Sequence, residues 1–171
     1  MSTGLNDLLI DAFERIRSTT RKTVEDLDVA ALTFRMDSEA NTIAWLVWHI
    51  ARIQDDHIAG LHDGEQVWNA GWYERFGVPF DRSDTGYVHS TDDVAAVRVS
   101  GADLLDYYEA VHAATIDYLR TISTEDLDRI VDSSWDPPVT LGVRLVSVIT
   151  DNLQHAGQAA FIRGLATRSL G

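Results

Sequence analysis

Asp151-Asn-Leu-Gln-His155-Ala-Gly-Gln-Ala-Ala-Phe-Ile-Arg-Gly164 is the stretch from which the rest of the chain can be read. Around it Leu145, Val148, Ala159, Ile162 and Leu165 recur at helical spacing, which puts Asp151 and His155, four residues apart, on the inward face. A carboxylate placed there must be protonated, hydrogen-bonded or bound to something positive. Two ligands on one helix do not complete a metal site, so a third has to come from elsewhere. His49 is the best candidate, because it lies in Trp45-Leu-Val-Trp48-His49-Ile-Ala-Arg-Ile53, a second amphipathic helical run. Two imidazoles and one carboxylate would make a three-ligand divalent site with open positions. The same side chains could instead hydrogen-bond to one another within a core and bind no metal.

Working outward, the spacing of Leu5, Leu8, Leu9, Ala12, Phe13 and Ile16 predicts a first helix from about Leu5 to Leu27. Ser38 or Asn41 is placed to cap a second helix running to about Gly60. From Leu61 to Ser90 the pattern breaks, and a connection of that length either crosses over the fold or forms a lid. Its aromatics, Trp68, Trp72, Tyr73, Phe76, Phe80 and Tyr87, either anchor such a crossover or wall a substrate pocket. Thr91-Asp-Asp-Val94 opens a third helical region that Ser100-Gly101 bends or interrupts, and Leu104 to Ile122 carry its apolar stripe. Ser123 to Asp126 start a short helical turn, Trp135-Asp-Pro137-Pro138 breaks the chain, and Thr140 caps the last helix. The expected fold is all-α: one domain over residues 1–171, a four-helix bundle with a long crossover between its second and third helices.

At 171 residues and 45% hydrophobic content the chain can bury a full core without help from a metal. A net charge of −13 argues against a nucleic-acid surface, which needs clustered Lys and Arg. With no cysteine there is no disulfide framework and no protein thiol, so any sulfur chemistry must use a thiol from solution. The N-terminus shows no signal pattern and no apolar run reaches the length of a membrane span, so a cytoplasmic protein, monomer or homodimer, is expected.

Trp45 to His49, the continuation through Asp55-Asp56-His57, and Asp151-x-x-x-His155-x-Gly-Gln158 with Ile162-Arg163-Gly164-Leu165 resemble the DinB-like superfamily, and within it the mycothiol-dependent branch. That resemblance implies an up-up-down-down bundle and a divalent metal, zinc first, with nickel, iron or manganese as alternatives. It implies His49, Asp151 and His155 as both metal ligands and catalytic residues, and mycothiol as cosubstrate. In the wider superfamily the C-terminal helix carries two His at this spacing, and in the mycothiol-dependent maleylpyruvate isomerases a Glu replaces the first. Asp151 keeps that charge on a side chain one methylene shorter. The implied activity is a thiol transferase that uses mycothiol, as its thiolate, to attack a small electrophile. A hydrolase activating water at the same ion, and a non-catalytic stress or binding protein, are the other readings.

The remaining histidines receive structural readings. His57 is eight residues from His49, two helical turns away, and too far to share one ion. Asp56 shares that distance and is left as a second-layer charge. His112 reads as a hydrogen-bonded core residue, while His62 and His89 fall in the crossover and read as solvated.

Overall fold

The computed structural model describes residues 4–170. Four long helices dominate: α1 (Leu5–Val24), α3 (Ile43–Gly60), α6 (Gly101–Leu119) and α7 (Leu141–Leu170). Between them lie the short helices α2 (Val29–Leu32), α4 (Trp72–Phe76) and α5 (Thr91–Ala96). A two-stranded antiparallel hairpin, β1 (Ile130–Asp132) with β2 (Val139–Thr140), forms where the sequence had shown only a Pro-rich break. The all-α bundle and its long crossover are as expected.

The chain directions differ from the expected up-up-down-down order. Asn6 near the start of α1 donates to the Ile122 carbonyl just beyond α6, and Arg17 pairs with Glu109, so α1 and α6 are antiparallel. Gln54 meets Thr115 while His62 stacks on Tyr118 further along, so α3 and α6 are parallel. His49 faces Asp151 and His155 while His57 meets Arg144, so α3 and α7 are antiparallel. The order is therefore up-down-down-up. The reason is topological: one traversing connection, placed between the second and third long helices, makes those two parallel and leaves the outer pairs antiparallel.

The crossover explains why α3 is buried all round from Ile43 to Asp55. α6 and α7 pack on two of its sides, and the 61–90 segment covers the face that a simple bundle would leave wet. Thr42, immediately before α3, accepts from the Trp45 N–H at 3.0 Å and is its cap, in place of Ser38 or Asn41. Ser100 caps α6 rather than bending a longer helix, and Thr140 accepts from the Val143 N–H as expected. Most crossover aromatics are anchors: Trp68, Phe76 and Phe80 are buried, and Trp68 packs against Trp48 and Tyr107. Tyr87 is the exception, at 60% exposed.

Two buried polar clusters fix α3 against its neighbours. Asn152 donates to Gln54 at 3.0 Å and Gln54 donates to Thr115 at 2.7 Å, which ties α7, α3 and α6 together across the core. In the second, Asp55 accepts from the N–H groups of Val67 and Trp68 and from the Tyr107 hydroxyl. Fully buried Arg52 lies 3.6 Å from that carboxylate and donates to the Asp84 carbonyl and to Gln66. Burial pushes the Asp55 carboxyl up, and the donors converging on it oppose that shift.

Candidate metal centre

α3 and α7 bring His49, Asp151 and His155 together. One ligand atom from each lies within 4.8 Å of the other two, the one group of three or more such side chains in this arrangement among the described residues. His49 Nε2 is 3.8 Å from one oxygen of Asp151, and His155 Nε2 is 3.6 Å from the other. The imidazoles stand nearly perpendicular with centroids 4.8 Å apart. Their burial is uneven, since the His49 side chain is 4% exposed but those of Asp151 and His155 are 26% and 20%. The α7 pair therefore lies on the border of the buried stripe rather than at its centre, which leaves the group open to solvent on one side.

The hydrogen bonds around the group decide which ring nitrogens face it. The Thr85 carbonyl lies 2.5 Å from His49 Nδ1 and can only accept, so Nδ1 carries the proton and Nε2 keeps a lone pair toward Asp151. His155 Nδ1 meets the Gln158 side-chain oxygen at 2.9 Å, which fixes the same tautomer. Burial holds the His49 imidazole below its ordinary pKa and so opposes its conversion to a cation. Three acceptors thus converge, and one Asp151 oxygen is buried with no hydrogen-bond partner. A cation between them satisfies all three. An ion with bonds of about 2.0–2.2 Å to nitrogen and oxygen needs only small side-chain adjustments to reach them.

Gly86 shapes the closed side of the group. Its φ of +105° lies in the left-handed region, and a Cβ there would fall 2.5 Å from His49 Nδ1 and 3.0 Å from the Trp45 ring. Trp45 stacks on His49 at 4.8 Å and donates its indole N–H to His89. His89 is not solvated as expected: its side chain is 7% exposed and packs on Trp48 and Phe80. Gly86→Ala is expected to cost at least about 1 kcal/mol of stability from the backbone alone. Because His49 must also move, metal affinity should fall more than the stability loss accounts for, as a metal titration of the folded variant will read.

The other histidines lie outside the group. His112 meets Glu14 at 3.0 Å and is a hydrogen-bonded core residue as expected, and His62 is exposed against Tyr118. His57 accepts from Arg144 and lies beside Asp56, whose own oxygen accepts from Gln66. Burial first, and the Arg144 cation second, hold His57 below the ordinary imidazole value of 6.5. The unfolded chain therefore takes up a proton near that pH that the folded chain resists, so stability is full above it and declines as pH falls below it. The urea midpoint of metal-free protein should drop between pH 7.5 and 5.5, and drop less in His57→Gln.

The three convergent residues were legible in the sequence. Thr85, Gly86 and His89, which reach α3 from the crossover, were not. The break from Leu61 to Ser90 was visible, but nothing local showed which helix it would cover.

Fold and site together define a four-helix-bundle protein whose facing helices present two histidines and a carboxylate suited to one divalent ion. The chain belongs to the DinB superfamily, whose family model matches residues 12–159. A crystal structure of a conserved protein from Enterococcus faecalis is similar at 31% identity and a TM-score of 0.90, covering 97% of this chain and 99% of that one. A DinB-like protein from Bacillus cereus shares the fold at 19% identity and a TM-score of 0.61, covering 98% and 95%. No curated protein matches the chain at a significant level. No helix among the described residues is long and apolar enough to cross a membrane.

Proposed function

We propose that this protein is a metal-dependent thiol transferase in which His49, Asp151 and His155 hold one divalent ion, zinc first, and mycothiol is the thiol cosubstrate. The observation that carries the metal is the convergence of three acceptors with no donor among them, one being a buried carboxylate oxygen without a partner. Bound there, a divalent ion would favour the thiolate of an incoming thiol, whose free pKa near 8.5 needs a shift of only about one or two units, roughly 1.4 kcal/mol each.

The chain's own residues position the reactants. Thr85 and Gln158 hold the imidazoles in register, and Trp45 with Gly86 keeps water from the inner face of His49. Tyr87 stands edge-on to His49 at 5.8 Å on the open side, where an electrophile would approach. The sulfur bonds to the electrophilic carbon as the leaving group departs, or adds and is later released in an isomerisation.

A polar cavity of about 410 Å³ bordered by Asp56, His57, Gln66, Asp132 and Arg144, none of them a member of the convergent group, is where the rest of the thiol would extend. Arg144 is seven residues from Asp151 on α7, about 10 Å along the helix. Arg144 already pairs with Asp132 at 2.8 Å and donates to His57. Its charge is therefore spent, and the two carboxylates disfavour an anionic arm. Hydroxyl groups, which both donate and accept, suit such a lining. A larger cavity of about 490 Å³ between α3 and α6 has no α7 residue in its lining and is given no part in the reaction.

Metal-loaded protein should consume mycothiol with an activated aryl halide or an unsaturated acid, and glutathione should support at most about a tenth of that rate. Equal rates with any small thiol would remove the cosubstrate assignment. Turnover without thiol would make the protein a hydrolase.

A further inference from the structure

We propose that the outward face of α7 is the contact surface of a symmetric dimer in which two copies of this helix pair antiparallel. α7 is 30 residues long and buries only its inner side. Its outer side carries Val143, Val146, Leu153 and Phe161 at 57%, 58%, 52% and 62% exposure. Together with Thr150 and Gly157, these residues form a straight strip at the three-and-four spacing of helices that pair along their length. From Val143 to Phe161 the strip is about 27 Å long.

Charge identifies the partner. The chain has 27 acidic and 14 basic residues, yet no exposed side chain of α7 from Val143 to Thr167 is charged. A chain of net charge −13 is repelled by nucleic acid and by anionic membrane surfaces. A basic protein would be drawn to the acidic remainder of the surface, not to a face offering it no carboxylate. A second copy brings the same uncharged strip, which is what two strongly acidic chains need in order to touch.

The order of residues selects the antiparallel pairing. A two-fold axis near Asn152, midway between Val143 and Phe161, sets Val143 against the partner's Phe161 and Val146 against the partner's Gly157. Gly157 has nothing within 4 Å of its Cβ position, so it leaves a gap for a valine. The charges at the two ends agree: exposed Arg168 in the last turn would approach the partner's Asp136, which is exposed in the hairpin ahead of α7. Parallel pairing would oppose like charges at both ends. A contact of this extent falls at the lower end of stable interfaces, so dissociation in the micromolar range is expected.

Sedimentation velocity across the micromolar range tests the proposal. The wild-type protein should approach twice the 19.0 kDa chain mass as concentration rises, and Val146→Glu with Leu153→Glu should stay monomeric with an unchanged helical circular dichroism spectrum. Since the chain has no cysteine, cross-linking gives an independent reading that does not depend on the double variant folding. A mixture of Val143→Cys and Phe161→Cys proteins, mildly oxidised, should give a disulfide-linked dimer, and neither protein should do so alone. A wild-type monomer throughout, or a dimer that survives the two glutamates, would overturn the surface. Self-cross-linking of Val143→Cys without a mixed product would overturn the antiparallel arrangement.

Discussion

Asp151→Ala is expected to weaken divalent-metal binding by about a hundredfold or more, close to 2.7 kcal/mol, because it removes the one anionic member of the group. The two imidazoles remain held by Thr85 and Gln158, so the fold should survive and the loss should be specific to the ion. Wild-type protein at a hundredfold excess of metal over its dissociation constant should gain about 2.7 kcal/mol of stability. The variant, at that same metal concentration, should show almost none of this gain in a melting experiment. Without metal its stability should equal or exceed that of the wild type, since the buried oxygen that lacks a partner is gone. Asp151→Glu completes the series: the longer carboxylate should retain binding if the helix spacing tolerates one more methylene. A wild-type protein with no metal-dependent rise in melting temperature would remove the assignment.

Asp55→Ala should have the largest effect on stability, about 3–5 kcal/mol in urea denaturation. The substitution strips the counter-charge from Arg52, which has no exposed surface, and the acceptor from the N–H groups of Val67 and Trp68 and from Tyr107. Arg52 also holds the Asp84 carbonyl, next to the Thr85 carbonyl that orients His49. The damage should therefore reach the His49, Asp151 and His155 group, and the folded fraction of the variant should bind metal more weakly than wild type. An effect below about 1 kcal/mol would show that hydrogen bonds to water replace this network at little cost.

The bundle was legible because α1, α6 and α7 carry their burial in their periodicity, and the convergent group because Asp151 and His155 sit at the edge of such a stripe. His49 could be chosen since a polar ring within an apolar helix needs a reason to be there. What could not be read were contacts between the crossover and α3. The Thr85 carbonyl carries no side-chain signal, and Gly86 looks like any turn glycine until its approach to His49 is seen. His89 was misplaced because a loop histidine is ordinarily solvated, whereas here Trp48 and Phe80 enclose it. Arg52 and Asp55 are buried because the crossover segment covers their face of α3, and nothing in the local sequence announces that cover. The chain directions were also misread, although the placement of the single long connection already implied them.

The assembly of one metal centre by α3 and α7 is tested most directly by anomalous diffraction from crystals of the zinc-loaded protein, recorded at the zinc absorption edge. One peak per chain is expected, about 2.0–2.2 Å from His49 Nε2, His155 Nε2 and a carboxylate oxygen of Asp151. A saturated protein whose only peaks lie away from these three atoms, or that shows none, would contradict it.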